Sequence, residues 1–355
     1  MSHTRTTVSA LERLDLIFSL LKTISTAIVT LLSVPFWGTN GHLRAKKHVI
    51  HTAMRVMNAR ASAKQIQYIS ASSDEAYTTF AEAQGFKPVS TNLPEDATAH
   101  WIGSPDARRI LVFFHGGGFV FPAKTQFQFI YDVQQKAGDD TAGIVLSYSL
   151  APTKSYPHQL RQGVALISYL IHEAGKKPED IVLAGDSAGG NLLLAVMSHI
   201  LHPHPDKSIP RLEIDSPFKG ALLVSPWVDF SSAAASYTTN GKKDIVDRDI
   251  LIKWGNYYMG KAAVDAYNQP GTASKEWWQG IDAKVRNIAV MYGDGEVMLD
   301  DIEKFNETLK ESFPSLEVQL VKGETHDQPF LDPLTGAKEE SDSTRIIKSW
   351  IMDRL

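Results

Sequence analysis

The 355-residue chain contains no cysteine, which excludes a disulfide framework, a thiolate metal site and a cysteine nucleophile together. It also lacks a strong charge of either sign. The formal net charge is −4, so no basic excess calls for nucleic acid. Internal repeats and low-complexity tracts are absent, as is a compact signal-peptide pattern with a small-residue cleavage site. Residues 14–34 form a long apolar stretch, but Lys22 interrupts it. The uncharged run from Thr23 to Trp37 is shorter than the roughly 20 residues that a membrane span needs. These absences point to an intracellular protein, cytoplasmic or peripheral to a membrane.

What is present suffices for a large core: 43% of the residues are hydrophobic, enough for one extended domain with a smaller appended piece. Charge is unevenly spread. Residues 1–60 carry eight Lys/Arg (Arg5, Arg13, Lys22, Arg44, Lys46, Lys47, Arg55, Arg60) against Glu12 and Asp15, a balance of +6 that leaves −10 for the rest. Within this region Leu14, Ile17, Phe18, Leu21, Ile24, Ile28, Leu31 and Leu32 recur at helical spacing, opposite a polar stripe of Asp15, Ser19, Lys22, Thr26, Thr30 and Ser33. The pattern predicts an amphipathic helix ended by Pro35, acting as a lid or as a peripheral membrane contact. Docking of the basic segment on the acidic body is the plainer alternative. Residues 42–60, with Leu43, Ile50, Met54 and Met57 on one side, predict a second helix, and 74–84 another, stopped by Gly85.

Beyond residue 90 the texture changes. Short apolar runs at 110–114, 143–147, 181–184, 220–224, 288–292 and 316–321 alternate with helical segments such as 158–174, 188–201 and 299–312. Near-continuous apolar strands separated by helices predict a mostly parallel sheet covered on both faces. Residues 232–280 break the rhythm with Trp254, Tyr257, Tyr258, Trp277 and Trp278. They read as an insertion whose rings either line an apolar pocket or pack only on each other.

Two motifs carry chemistry. Gly185-Asp186-Ser187-Ala188-Gly189-Gly190 contains G-x-S-x-G directly between a predicted strand and a predicted helix. That is the context in which a serine becomes an exposed nucleophile, with helix-terminal amides aimed at a developing oxyanion. His115-Gly116-Gly117-Gly118-Phe119 follows another strand. Its glycines free the backbone for close approach to a substrate. Of the twelve histidines, only His326 follows the last predicted strand. His202 and His204 sit in a proline-rich loop without carboxylates at ligand spacing, so no metal is expected.

HGGGF followed by GDSAGG resembles the hormone-sensitive-lipase-like (GDXG) family of α/β-hydrolases, in the manner of a fungal carboxylesterase. Ser147-Tyr148-Ser149-Leu150-Ala151-Pro152 is similar to the family's D-Y-R-L-A-P, and Ser225-Pro226-Trp227-Val228-Asp229 to its S-P-W-x-D. Ser149, Thr153-Lys154 and Pro122 depart from the family pattern. The resemblance covers about 100–350. It implies an α/β-hydrolase fold, with 1–92 a helical N-terminal cap holding a surface helix at 11–34, and 93–355 the catalytic core with a cap insertion at about 232–280.

It also implies Ser187 as nucleophile, His326 as base, and the amides of Gly116, Gly117 and Ala188 as oxyanion donors. Aligned on Gly293, Glu296 takes the place of the catalytic aspartate, with Asp294 the competitor and Asp300 a helix-capping acid. Phe119, Trp227, Trp254 and Tyr258 are expected to line the substrate pocket. The implied function is cleavage of a carboxylic ester, lactone or thioester of a small apolar metabolite, with no cofactor. An acyltransferase or product-releasing thioesterase of secondary metabolism is the nearest alternative, and a non-catalytic receptor a more distant one.

Overall fold

The computed structural model describes residues 6–38, 41, 44–337 and 339–355. Leu43 and Arg5, counted above, lie outside these. The helices in chain order are α1 Ala10–Trp37, α2 Ala45–Arg60, α3 Ala63–Ile69, α4 Ser73–Gln84, α5 Thr125–Ala137, α6 His158–Ser168, α7 Ala188–Leu201, α8 Ser236–Thr239, α9 Arg248–Met259, α10 Leu299–Ser312, α11 Gln328–Thr335 and α12 Asp342–Met352. The strands are β1 Val89–Leu93, β2 Ala97–Ile102, β3 Arg109–Phe114, β4 Thr141–Ser147, β5 Ile181–Asp186, β6 Gly220–Val224, β7 Ile288–Gly293 and β8 Glu317–Val321.

All eight strands form one sheet in the order β1-β2-β4-β3-β5-β6-β7-β8. β1, β2 and β4 pair antiparallel, and every pairing from β4 through β3 to β8 is parallel. The inner strands are apolar because helices cover both faces: β4, β5, β6 and β7 are buried at every residue. α7 is buried along nearly its whole length and packs on β5, β3 and β6. Its Leu192, Leu193, Leu194 and Val196 each contribute about 1.5–3 kcal/mol by leaving water. The sheet thus holds the carboxyl end of β5 rigidly, and with it the turn into α7.

Four expectations need correction. The division at 92/93 cuts through β1, a strand whose polar, mostly exposed sequence VSTNL hides it from a hydrophobicity reading. Pro35 does not end α1. A proline deletes one backbone donor, and the helix runs two residues further before Gly38 caps it. The segment 158–174 is α-helical only to Ser168 and continues as a π-turn over Tyr169–Glu173. Finally, the helix placed at 42–60 begins at Ala45 and buries His48, His51 and Asn58, while Met54 and Met57 are half-buried and pack on the core.

The orientation of α1 is inverted relative to an ordinary surface helix. Its inward side is Leu16, Ser19, Thr23, Thr26, Thr30 and Ser33, packed against α2, while the apolar stripe points outward. Small hydroxylated side chains allow close helix approach, and Ser19, Thr23, Thr30 and Ser33 satisfy their hydroxyls on carbonyls of their own helix.

Candidate active site

The turn between β5 and α7 places Ser187 at φ 50°, ψ −115°, a strained conformation for a non-glycine residue. It is held there by its own N–H donating to the Val224 carbonyl at 2.8 Å, while its carbonyl accepts from Asn191 and Trp227 amides. A side chain at Gly189 would overlap the Phe114 carbonyl, so the tight elbow requires glycine at that position. The result is a serine at the helix N-terminus, where unpaired amides and the positive dipole end face the same space.

His326 arrives from the loop after β8. Its Nε2 lies 2.9 Å from Ser187 Oγ, and its Nδ1 lies 3.2 Å from Glu296 Oε2. Glu296 is fully buried in the loop between β7 and α10. Its Oε1 accepts from Ser225 Oγ and from the Gly293 amide, both at 2.6 Å. The carboxylate is therefore oriented by three partners at once. Asp294 points elsewhere: it is half-buried, and its Oδ1 accepts from the Gly323 amide at 2.7 Å. Asp300 does not cap its own helix. Its Oδ2 accepts from the Ser236 amide at 2.8 Å, tying α8 to α10.

The glycine loop after β3 lies beside the serine. Gly116 differs from its expected role, because its N–H already donates to Asp186 Oδ1 at 2.7 Å and is not available to a substrate. Among the described residues, the amides of Gly117, Gly118 and Ala188 have no acceptor within the chain. Gly118 thus replaces Gly116 as a free donor. The loop is pinned by His115, whose Nδ1 bonds the Gly116 carbonyl and whose ring stacks on Tyr148 with centroids 4.1 Å apart. Burial pushes His115 down to about 4, so it is neutral at pH 7.

Three acids near the site have contacts that the sequence did not assign them. Asp327, at φ 53°, places Oδ2 3.2 Å from His326 Nε2, the same nitrogen that faces Ser187. Among the described residues its other oxygen has no partner. Asp244 accepts from the amides of Val297 at 2.9 Å and His326 at 3.3 Å, and so fixes both loops; burial pushes its carboxyl up to about 7. Burial, and then the charge of Asp327, raises Asp186 well above the ordinary carboxyl range. Burial alone would lower His326, but the Asp327 and Glu296 carboxylates reverse this and hold it well above the usual histidine value.

Phe119, Trp227 and Tyr258 are fully buried, and Trp254 nearly so. Phe119 stacks on Tyr258 at 3.7 Å, and Trp227 meets Phe230 at 4.3 Å. Three of these residues therefore form packed aromatic core in this structure and not an open lining, because Tyr258 of the 232–280 segment closes onto Phe119, Tyr156 and Phe230 outside it. Trp254 is the exception in position: its ring lies directly against Gly118, where any side chain would strike it. His202 and His204 bond the Trp277 carbonyl and the Tyr156 hydroxyl.

Comparison with known proteins agrees with this architecture. The human protein arylacetamide deacetylase-like 2 is 30% identical over 191 residues, covering 52% of this chain and 43% of that protein. Steryl acetyl hydrolase 1 of Saccharomyces cerevisiae is 31% identical over 214 residues, 55% of this chain and 46% of that one. The matched part of the chain thus spans just under half the length of these two relatives. Among solved structures, an esterase from the bacterial hormone-sensitive lipase family superposes with a TM-score of 0.63 at 20% identity, over 88% of this chain and 99% of that one. A family model described as alpha/beta hydrolase fold matches residues 111–329, well over half the chain. The chain belongs to this α/β-hydrolase family.

Proposed function

We propose that the protein is a serine hydrolase that cleaves a carboxylic ester through an acyl-enzyme at Ser187. The observation that carries this reading is the continuous relay Glu296–His326–Ser187, set beside the three free amides of Gly117, Gly118 and Ala188. Ser187 Oγ attacks the acyl carbon while its proton passes to His326 Nε2. Glu296 holds the Nδ1–H tautomer and stabilises the imidazolium that forms. The carbonyl oxygen becomes an oxyanion facing the three amides, each such donor contributing about 3 kcal/mol to lowering the barrier. His326 then gives its proton to the departing alkoxide. A water attacks the acyl-enzyme, again losing its proton to His326, and Ser187 is regenerated as the carboxylic acid leaves.

The acyl group in this reading is short. The Trp254 ring against Gly118 closes the space next to the oxyanion donors, and both relatives above are named for removing an acetyl group. The test is hydrolysis of p-nitrophenyl esters of increasing acyl length by wild type and Ser187→Ala. The proposal predicts a loss of several orders of magnitude in the variant with an unchanged melting curve. Residual activity within tenfold of wild type would refute it.

A further inference from the structure

We propose that α1 lies in the plane of a lipid bilayer surface, with its outward half sunk among the acyl chains. Twelve large apolar side chains along it are exposed to water: Leu11, Leu14, Ile17, Phe18, Leu20, Leu21, Ile24, Ile28, Val29, Leu31, Leu32 and Phe36, each at 40% or more of its free area. At about 100° per residue they occupy roughly half the helix circumference, and at about 1.5 Å per residue the stripe runs the full ~42 Å of the helix. A contiguous apolar surface of that extent on a soluble protein marks an interaction site.

Three observations select lipid as the occupant. The outward half is a smooth aliphatic ridge. Among its described side chains only Phe18 and Phe36 are aromatic, and its one charge, Arg13, sits at the amino end with its guanidinium over the Tyr68 ring. A protein partner would instead be expected to find aromatic and arginine anchors. Second, the hydroxylated side of the helix, Ser19, Thr23, Thr30 and Ser33, is turned inward, while Asp15 and Lys22 stay exposed at its border. These four hydroxyls bond the helix's own carbonyls and their side faces α2, so they need no water. Third, the first sixty residues carry a charge of +6, which suits anionic headgroups, and Lys22 stands at the border of the apolar half where a lysine can reach them.

By length and composition this helix could also cross a membrane. Its attachments favour the surface instead. Lys64 pairs with Glu12, Arg60 with Asp15, and Thr23 contacts Met57, so α2 and α3 run alongside it. α2 in turn is fixed to the body by Lys47 to Asp332, by His51 to the Lys243 carbonyl and by Arg55 to the Asp244 carbonyl. A spanning α1 would draw these cations into hydrocarbon.

The experiment uses the full chain with vesicles of phosphatidylcholine alone and of phosphatidylcholine mixed with phosphatidylserine. Wild type should float with vesicles, more strongly with the anionic ones. L14S/L21S/I28S should lose at least about tenfold in partitioning, since three buried apolar side chains are removed from the contact. Its hydrolysis of a short soluble ester should be unchanged, which shows that it is folded.

The absence of native cysteine allows a second measurement. A fluorophore on Leu14→Cys, Leu21→Cys, Ile28→Cys or Leu32→Cys should be quenched by nitroxide lipids at one common depth. Failure to float, flotation unaffected by the triple substitution, self-association through α1 without vesicle binding, or depths that progress from one leaflet to the other would each overturn the proposal.

Discussion

Replacing Glu296 by glutamine probes the relay at its most defined point. The carboxylate presents Oε1 to two donors, Ser225 Oγ and the Gly293 amide, and Oε2 to His326 Nδ1. An amide has one oxygen and one NH2. If the oxygen stays with Ser225 and Gly293, the NH2 faces Nδ1, which must then accept, so Nε2 carries the hydrogen and cannot take the proton of Ser187. If the amide flips, two buried donors lose their acceptor at about 1–3 kcal/mol each. The first arrangement wins by that margin.

Glu296→Gln should therefore fold with little loss of stability and lose about 10⁴ in kcat through the wrong tautomer. Asp294→Asn keeps an oxygen for the Gly323 amide and touches nothing in the relay, so it should stay within a few-fold of wild type. Steady-state kinetics on a short p-nitrophenyl ester, with thermal melts of both variants, decides between them. An inactive Asp294→Asn beside a Glu296→Gln within tenfold of wild type would refute the assignment.

Asp327→Asn should move the acid limb of the kcat/KM–pH profile to lower pH. The carboxylate raises His326, the reaction needs His326 neutral, and removing the charge lets the ring deprotonate earlier. A limb that stays in place or moves up would contradict this. The same sign applies to stability. A histidine held above its unfolded value adds stability that is complete below about 6.5 and fades as pH rises through the folded value, so Asp327→Asn should lose stability mainly on the acid side in melts against pH. Gly189→Ala should lower the melting temperature sharply, because its methyl would overlap the Phe114 carbonyl; a shift of under a few degrees would mean that the elbow can relax. Trp254→Ala should raise kcat/KM for longer acyl chains relative to acetate, measured across an ester series, and an unchanged ratio would remove Trp254 from the acyl site.

The parts legible in the sequence were those where one local rule dominates. The inner parallel strands are buried at every position and largely apolar, so their runs marked β5, β6 and β7 to within two residues, and the elbow glycines marked the turn because no side chain fits there. β1 escaped because it is a mostly exposed polar edge strand, and β2 because Thr98 and His100 interrupt its apolar run although the strand is nearly all buried. Gly116 was misread because its amide is taken by a carboxylate seventy residues away, a contact that only the folded chain creates. Asp244 was missed for the same reason, and Asp327, though next to His326 in the chain, got no role: tertiary structure alone sets each against His326. The helical period of α1 was visible, but not the side that would face inward, since both Ser/Thr and aliphatic stripes can pack against a neighbouring helix.

The central claim, that Ser187 is the nucleophile of this site, is tested most directly by covalent trapping. The wild-type chain is treated with an organophosphate ester, and the adduct is located by intact-mass and peptide mass spectrometry. The account predicts one phosphoryl group per chain, on the peptide containing Ser187, formed in step with the loss of esterase activity. It also predicts no adduct on Ser187→Ala. A stoichiometric adduct on another residue, or labelling and hydrolysis that persist in Ser187→Ala, would contradict it.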